Sequence, residues 1–295
     1  MVRLLGALAV SLTALLVGPL VISTPAATAD VEVQPVGTVQ IPAGPAPAWI
    51  VADLDSGQIL AGQDQYARHA PASTIKVLLA LVAIDELPLD ATVVASAADA
   101  TVECNCAGVK AGRTYTAQEL LDGLLLVSGN DAANTLAHML GGPGAAVAKM
   151  NAKAAALGAV DTQAGSPSGL NGPGIDGYTT PHDLAVVFRA ALTNPVFAAI
   201  TAAPTAPFPG DAGPVTLVNQ DEMLGRYPGM LGGKTGFTDV ARKTFVGAAQ
   251  RDGRRLVVAM MYGLVVEGGP TYWDQATSLL DWGFAQDRAV SVGAL

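Results

Sequence analysis

The chain has 295 residues, of which 51% are hydrophobic and 14% charged, so it can bury the core of one large or two modest domains. Its formal net charge of −9 and its pI of about 4.7 argue against a nucleic-acid-binding surface. His69, His138 and His182 are the only histidines and lack zinc-ligand spacing, which argues against a metal hydrolase and predicts neither metal nor cofactor.

The N-terminal segment is typical of an export signal. Arg3 is its only charged residue before Asp30, and residues 4–22 form an apolar run. Ala27 and Ala29 match the small-x-small pattern of a signal-peptidase site, so we predict cleavage after Ala29 and an extracytoplasmic location. An uncleaved membrane anchor is the alternative, because a span needs roughly 20 apolar residues.

The predicted elements after this segment begin with strands and continue with helices. Residues 30–47 are rich in Pro, Gly and Val and predict an extended lead-in. Residues 48–62 contain two apolar runs around an Asp-Ser-Gly turn, which predicts a β-hairpin. The helices predicted next are Thr74–Leu87, Ala117–Val127, Asp131–Leu140 and Gly144–Leu157.

The second half of the chain returns to strands. A helix is predicted over 179–192, with Thr180 as its cap and Pro181 at its first position, and a strand over 213–220. The segments GGKTGFT, KTFVGAAQ and RLVVAMMYG predict three antiparallel strands, and 271–284 a final helix. This order predicts an α/β fold in which both ends of the chain build one antiparallel sheet, with a helical insertion between them.

The first predicted helix contains a lysine that its composition does not explain. Lys76 is the single charged residue between His69 and Asp85, in a segment that is apolar on every side and should be buried. Ser73 precedes Lys76 by three residues, which on a helix places both side chains on one face, with Cβ atoms roughly 5–6 Å apart. Burial lowers the pKa of a lysine, so Lys76 would act as a neutral base that activates Ser73. A capping serine and a lysine that reaches the surface are the alternative.

Two further motifs place this pair in a catalytic context. The tripeptide SGN at 128–130 lies at a predicted junction of two helices, and KTG at 234–236 begins a predicted strand. Each motif alone is compatible with an ordinary loop, cap or turn. Together, S-x-x-K, S-x-N and K-T-G in this order form one catalytic set, which favours acyl transfer through a serine ester.

The two cysteines are Cys104 and Cys106, in the segment ECNCAG. Export to an oxidising compartment favours a disulfide between them. A C-x-C bridge closes a very small loop, so two free thiols are the alternative.

On these residues the sequence resembles the serine D-alanyl-D-alanine carboxypeptidases, the low-molecular-mass penicillin-binding proteins, and in particular their short mycobacterial-type members. The resemblance covers roughly residues 45–285 and rests on the segments DLDSGQIL, PASTIK, GLLLVSGNDAANTLA, SGLNGPG, YPGMLGGKTGFT and LLDWGF. It implies the penicillin-recognising α/β fold, with an antiparallel sheet, flanking helices and a helical lobe. The active site would lie in the cleft between the sheet and that lobe.

The resemblance implies how the serine ester would form. Ser73 would be the acylated nucleophile and Lys76 its base. Ser128 would relay a proton to the leaving D-alanine. The backbone N–H groups of Ser73 and Phe237 would form the oxyanion hole.

The resemblance also implies a substrate-binding set and its ligands. Asn130 would hold the substrate amide, while Lys234 and Thr235, beside Gly236, would bind the terminal carboxylate with a cation and a hydroxyl. The expected substrate is the D-Ala-D-Ala terminus of a peptidoglycan stem peptide, and β-lactams would inhibit covalently. Neither a metal nor a nucleic acid is expected, and we expect a monomer.

Two positions and the C-terminal end depart from the family pattern. Asn171 stands where members usually have Asp, and Arg242 where many have Gly, so we assign Arg242 no substrate role. Many members continue after the WGF motif with a β-rich domain and an amphipathic membrane helix, which we do not expect here. The predicted organisation is a signal peptide at 1–29, a lead-in at 30–47, a catalytic domain at 48–285 and a tail at 286–295.

Three functions share these motifs. The first is a carboxypeptidase that removes the terminal D-alanine from stem pentapeptides. The second is a class A-like β-lactamase, which needs a glutamate to activate the deacylating water. No glutamate lies between Asn130 and Asp221, although Asp161, Asp176 and Asp183 lie in that interval. The third is a non-catalytic sensor that binds β-lactams or peptidoglycan.

Overall fold

The strands form one main sheet and two small two-stranded sheets. The computed structural model describes residues 32–265 and 267–295, so the predicted export signal lies outside the described residues. The strands are β1 (Glu32–Val33), β2 (Ala48–Asp53), β3 (Gln58–Gln63), β4 (Thr92–Val94), β5 (Thr114–Thr116), β6 (Thr205–Gly210), β7 (Gly213–Val218), β8 (Met230–Thr238), β9 (Arg242–Arg251), β10 (Arg254–Gly263) and β11 (Gly293–Ala294).

The main sheet joins both ends of the chain. Across the described residues its strand order is β1-β3-β2-β10-β9-β8, and β11 pairs with β3. Strand β2 pairs antiparallel with β10, so that Ala52 lies opposite Val257. This pairing confirms the predicted sheet. Strand β8 lies at the end of the order and pairs with β9 alone, so its outer edge is open to the cleft described below.

Helices cover both faces of this sheet. Along β2, Ile50 and Ala52 pack into a large cluster with the helical lobe, while Trp49 and Val51 pack into a smaller cluster with the C-terminal helix. Because both faces are buried, β2 is continuously apolar rather than alternating. The helices are α1 (Lys76–Glu86), α2 (Ala97–Ala100), α3 (Ala117–Leu126), α4 (Asn130–Met139), α5 (Pro143–Leu157), α6 (Pro181–Ala191), α7 (Pro195–Ala202), α8 (Met223–Arg226) and α9 (Tyr272–Ala285).

The helix starts test the predictions from capping residues. Thr180 accepts a hydrogen bond from the Asp183 N–H, and α6 begins at Pro181, which confirms the predicted start. Helix α1 begins at Lys76, so the predicted start at Thr74 is wrong by two residues. The cause is a 3₁₀ turn over Ala72–Ile75, which precedes the α-helix and contains the serine of S-x-x-K.

Other elements were not predicted. Helix α7 has Asn194 as its cap and Pro195 at its first position, so its signal was present in the sequence. Strand β6 contains Pro207 and Pro209, which argue against a strand, yet it forms a separate hairpin with β7. No single described helix is long and apolar enough to span a membrane, and the only candidate is the bent pair α6 and α7, by length and composition alone.

Candidate active site

The serine of S-x-x-K lies on a constrained turn. Ala72 adopts a left-handed φ of +47°, a conformation that costs a non-glycine residue of order 1–3 kcal/mol. The turn is held to the sheet because the Thr244 hydroxyl donates to the Pro71 carbonyl over 3.0 Å. A Cβ on Gly236 would lie 2.9 Å from Ser73 N, so the glycine lets β8 approach the turn. The backbone of KTG therefore borders the nucleophile.

Lys76 is fully buried directly behind this serine. Its Nζ lies 2.8 Å from Ser73 Oγ, 2.7 Å from Asn130 Oδ1 and 3.4 Å from Ser128 Oγ. Burial, and then the positive charge of Lys234, hold the pKa of Lys76 well below its ordinary value, with Asp131 opposing them. A neutral amine at this position can accept the Ser73 hydroxyl proton.

The SGN motif forms the opposite wall at the junction of α3 and α4. Ser128 is buried with a left-handed φ of +58°, and Asn130 is the first residue of α4. The Asn130 side chain is oriented from both ends: its Oδ1 faces Lys76 Nζ, and its Nδ2 donates to the Glu103 carbonyl over 2.7 Å. The helical lobe therefore holds this amide in one orientation.

A loop that contains both cysteines completes this wall. The structure joins Cys104 and Cys106 in a disulfide. Asp131 anchors the end of the loop, because its carboxylate accepts the N–H groups of Ala107, Gly108 and Val109 at 2.8 Å each. Asp131 follows the SGN motif directly, but its anchoring role was not predicted, since the loop residues that it binds lie 22 to 24 positions earlier in the sequence.

Lys234 approaches the site from β8. It is buried, and its Nζ donates to the Thr235 carbonyl over 2.8 Å. Burial lowers the pKa of Lys234 to about 7, although the nearby Asp221 carboxylate raises it. Burial also raises the pKa of Asp221 to about 6, while hydrogen bonding from Met223 N–H and the charge of Lys234 act in the opposite direction. Asp221 was not predicted as a site residue.

A cleft of about 460 Å³ lies between the two walls. Every residue of the three motifs that was assigned a role either lines this cleft or lies directly behind it, as the two lysines do. Phe237 follows KTG on β8 with its ring half exposed and the Lys243 Nζ 5.1 Å from the ring centroid. The cleft-lining residues are Ser73, Glu103, Cys104, Asn105, Ser128, Asn130, Gly169, Leu170, Gln220, Glu222, Thr235, Gly236, Phe237, Thr238, Asp239, Lys243, Tyr272 and Trp273.

The two positions that depart from the family pattern lie near the end of β8. Asn171 Oδ1 accepts a hydrogen bond from the Thr238 hydroxyl over 2.9 Å, so an amide can take the place of the usual carboxylate here. Arg242 is exposed, has a φ of +57° and is absent from the cleft lining. Arg242 therefore stays without an assigned substrate role.

Three aspartates in the interval after SGN form their contacts outside the cleft. Asp161 pairs with Arg68 at 2.6 Å, and the Asp183 carboxylate accepts the Asp161 N–H over 2.7 Å. Asp176 is exposed and accepts the Gly172 N–H over 3.1 Å. None of these three acids lines the cleft. Within the part of the chain that the structure describes, no three His, Cys, Asp or Glu side chains are grouped to hold a metal.

Comparisons with other sequences identify several relatives of the chain. The sequence profile of the family described as D-alanyl-D-alanine carboxypeptidase matches residues 35–263. The D-alanyl-D-alanine carboxypeptidase DacB2 of Mycobacterium tuberculosis is 71% identical over 267 residues, which cover 90% of this chain and 92% of the relative. A D-alanyl-D-alanine carboxypeptidase from Streptomyces is 32% identical over 237 residues, which cover 74% of this chain and 80% of that protein.

Solved structures show the same architecture. The crystal structure of a D-alanyl-D-alanine carboxypeptidase from Mycobacterium tuberculosis matches with a TM-score of 0.88 at 71% identity, covering 89% of this chain and 100% of that chain. The crystal structure of a Streptomyces DD-transpeptidase matches with a TM-score of 0.77 at 27% identity, covering 84% of this chain and 100% of that chain. The α/β fold predicted from the sequence is therefore confirmed.

Proposed function

The chain belongs to the D-alanyl-D-alanine carboxypeptidase family, and from this premise we propose that it removes the terminal D-alanine of peptidoglycan stem pentapeptides through an ester on Ser73. One observation carries the assignment of roles: a fully buried lysine, Lys76, has its Nζ 2.8 Å from Ser73 Oγ. A buried amine is kept neutral by the cost of desolvating its charge, which suits a base that must accept a hydroxyl proton.

Acylation follows from this geometry. The Ser73 hydroxyl transfers its proton to Lys76 Nζ as Oγ bonds to the carbonyl carbon of the penultimate D-alanine. The oxyanion that forms accepts hydrogen bonds from the backbone N–H groups of Ser73 and Phe237. Ser128, 3.4 Å from Lys76 Nζ, then passes the proton to the leaving nitrogen. The C–N bond breaks, free D-alanine departs, and the rest of the peptide remains as an ester on Ser73.

Substrate orientation and ester hydrolysis use the remaining groups. Lys234 and the Thr235 hydroxyl bind the terminal carboxylate, beside the backbone of Gly236, and the Asn130 amide binds the peptide backbone of the substrate. After D-alanine leaves, water enters at its position and gives a proton to Lys76 as it attacks the ester. The ester bond breaks, the proton returns to Ser73 Oγ, and the shortened peptide is released.

The direct test is release of D-alanine from diacetyl-L-Lys-D-Ala-D-Ala by the purified chain. We expect sustained release, and Ser73→Ala should lower the rate by up to about 10⁶-fold, because the nucleophile is lost. Fluorescent penicillin should label the wild type and not Ser73→Ala. Acylation without D-alanine release would instead favour the sensor function, and undiminished labelling of Ser73→Ala would contradict the assignment of the nucleophile.

A second measurement separates this function from a β-lactamase. Between Asn130 and Asp221 there is no glutamate, and none of the aspartates of that interval lines the cleft, so the carboxylate that class A enzymes position there to activate water has no counterpart among the described residues. We therefore expect the penicilloyl ester on Ser73 to persist for minutes or longer after free penicillin is removed, as mass spectrometry would show. Loss of the adduct within seconds, with rapid nitrocefin turnover, would favour the β-lactamase. Glu103→Gln, Glu222→Gln and Asp239→Asn test the carboxylates that do line the cleft.

The proposed setting is extracytoplasmic, where the stem peptides are found. Residues 1–29 would direct export and be removed, leaving the lead-in at 30–47, one catalytic domain at 48–285 and the tail at 286–295, as a monomer. Intact-mass measurement on protein recovered from an actinobacterial host should show a chain that begins at Asp30. A membrane-embedded chain that begins at Met1 would favour the anchor instead.

A further inference from the structure

Asp221 is a buried carboxylate that the proposed reaction leaves without a role. It is 4% exposed, and its Oδ1 accepts the Met223 N–H over 3.0 Å. Its Oδ2 is buried and has no hydrogen-bond partner among the described residues. An unsatisfied buried oxygen costs roughly 1–3 kcal/mol, so its presence calls for an explanation beyond packing.

The free oxygen of Asp221 borders strand β8 beside Lys234. A Cβ built on Gly233 would lie 2.8 Å from Asp221 Oδ2. The glycine that precedes Lys234 therefore lets the acid contact the β8 backbone one residue away from the lysine. In the sequence GGKTG, one glycine before the lysine and one after it thus leave space for a close neighbour. Gly233 makes space for Asp221, and Gly236 for the Ser73 turn.

The Asp221 carboxylate favours the protonated form of Lys234. Its Nζ donates to the Thr235 carbonyl and forms no ion pair shorter than 4.0 Å with a carboxylate of the described residues. Asp221 is the group that raises the pKa of Lys234, against the larger effect of burial, and the result is about 7. Without the Asp221 charge the ammonium would lose its proton at lower pH, so less of the carboxylate-binding cation would be present at neutral pH.

We propose that Asp221 is a positioning residue for the reaction: its buried carboxylate supplies the counter-charge that keeps Lys234 cationic and able to bind the terminal carboxylate of the peptide. This inference rests on the proposed function. Asp221 acts through Lys234 and does not contact the reacting atoms. With Asp221 in place the two buried lysines can carry different charges: Lys76 must be neutral to accept a proton, while Lys234 must be charged to bind an anion.

The groups that face this pair determine the direction of the pH effect. The charge of Lys234 lowers the pKa of Lys76 on α1, and Tyr272 from α9 and the neighbouring Glu222 face Asp221. Because the pKa of Asp221 is about 6, its charge is present above pH 6 and lost below it. Its support of Lys234 therefore applies between about pH 6 and 8, the range in which Lys234 itself titrates.

The test is the pH profile of kcat/KM for D-alanine release by Asp221→Asn. Asparagine keeps an oxygen for the Met223 N–H and removes the charge. An opposite charge nearby shifts a pKa by about one unit or more, so at pH 8 we expect kcat/KM to fall about tenfold, mainly through KM. Below pH 6 the two profiles should converge, because wild-type Asp221 is then neutral as well. Superimposed profiles from pH 5 to 9 would overturn the proposal.

Two controls exclude a merely structural effect. Asp122→Asn removes a half-buried carboxylate on α3 whose pKa burial also raises to about 6 but which lies outside the cleft lining, and it should leave the profile unchanged. In a Lys234→Arg background, Asp221→Asn should cause no further loss at pH 8, because arginine keeps its charge without help. A further tenfold loss in that background would show that Asp221 acts through folding or packing, and would contradict the proposal.

A carboxylate-free probe keeps this inference distinct from the proposed function. Labelling of Ser73 by a fluorophosphonate reports the nucleophile and base without the carboxylate site, and Asp221→Asn should label within about twofold of the wild type at pH 8. An equal loss of labelling and of peptide hydrolysis would overturn the role of Asp221. Failure of the wild type to release D-alanine would instead refute the proposed function, whatever the variants do.

Discussion

The two walls of the cleft hold their functional groups by different means. On the helical wall, side chains contact side chains: Lys76 Nζ lies within hydrogen-bonding distance of Ser73, Ser128 and Asn130. On the strand wall the backbone dominates, since Lys234 bonds to a main-chain carbonyl and the backbone of β8 passes close to Ser73 N. The helical wall should therefore be sensitive to side-chain chemistry, and the strand wall to charge and to backbone space.

The largest expected effect is a contrast between the two lysines. Lys76→Arg should lose about 10³-fold in acylation rate, because arginine stays protonated and cannot serve as the base. Lys234→Arg should lose only about tenfold, because a cation is still available for the carboxylate. Penicillin acylation rates measured by stopped flow would decide this. Similar losses in both variants would show that the two walls do not differ in the way proposed.

An intermediate effect is expected at Gly236 on the strand wall. Its alanine variant would place a Cβ 2.9 Å from Ser73 N and 2.3 Å from Thr244 Oγ1, so β8 must move away from the nucleophile turn. A displacement near 1 Å can cost about 10²-fold in rate, which we expect for penicillin acylation of Gly236→Ala. Gly225→Ala, with open space around its Cβ, is the matched control. Equal rates for both variants would mean that the close approach at Gly236 is not required.

The smallest effect is expected from the disulfide on the helical wall. Replacing Cys104 and Cys106 by serine frees the loop whose Glu103 carbonyl accepts the Asn130 Nδ2–H, while Asp131 still anchors residues 107–109. Weakening one hydrogen bond by about 1 kcal/mol predicts an acylation rate about fivefold lower. Treatment of the wild type with a reducing agent should cause the same change. A loss above 100-fold would show that the disulfide alone orients Asn130.

The sequence determined the elements whose signals are local. The hairpin at 48–62, the three C-terminal strands and the start of α6 follow from apolar runs, turn residues and caps that lie within a few positions of one another. The pairing of Ser73 with Lys76 is local as well, since three residues span almost one helical turn. Where local signals conflicted, prediction failed: the prolines of β6 argued against a strand that its partner β7 nevertheless stabilises.

Only the tertiary structure decided how distant segments meet and what charge their side chains carry. The sequence contains Asp221, Asp131 and the loop at 103–109. The hydrogen bonds of that loop to Asp131 and Asn130, and the effect of the Asp221 charge on Lys234, depend on the sheet edge and the helical lobe closing around one cleft. A lysine has no perturbed pKa in the extended chain. Burial among specific neighbours lowers the pKa of both lysines, and Asp221 opposes this at Lys234, because desolvation and Coulomb forces act through space and not along the sequence.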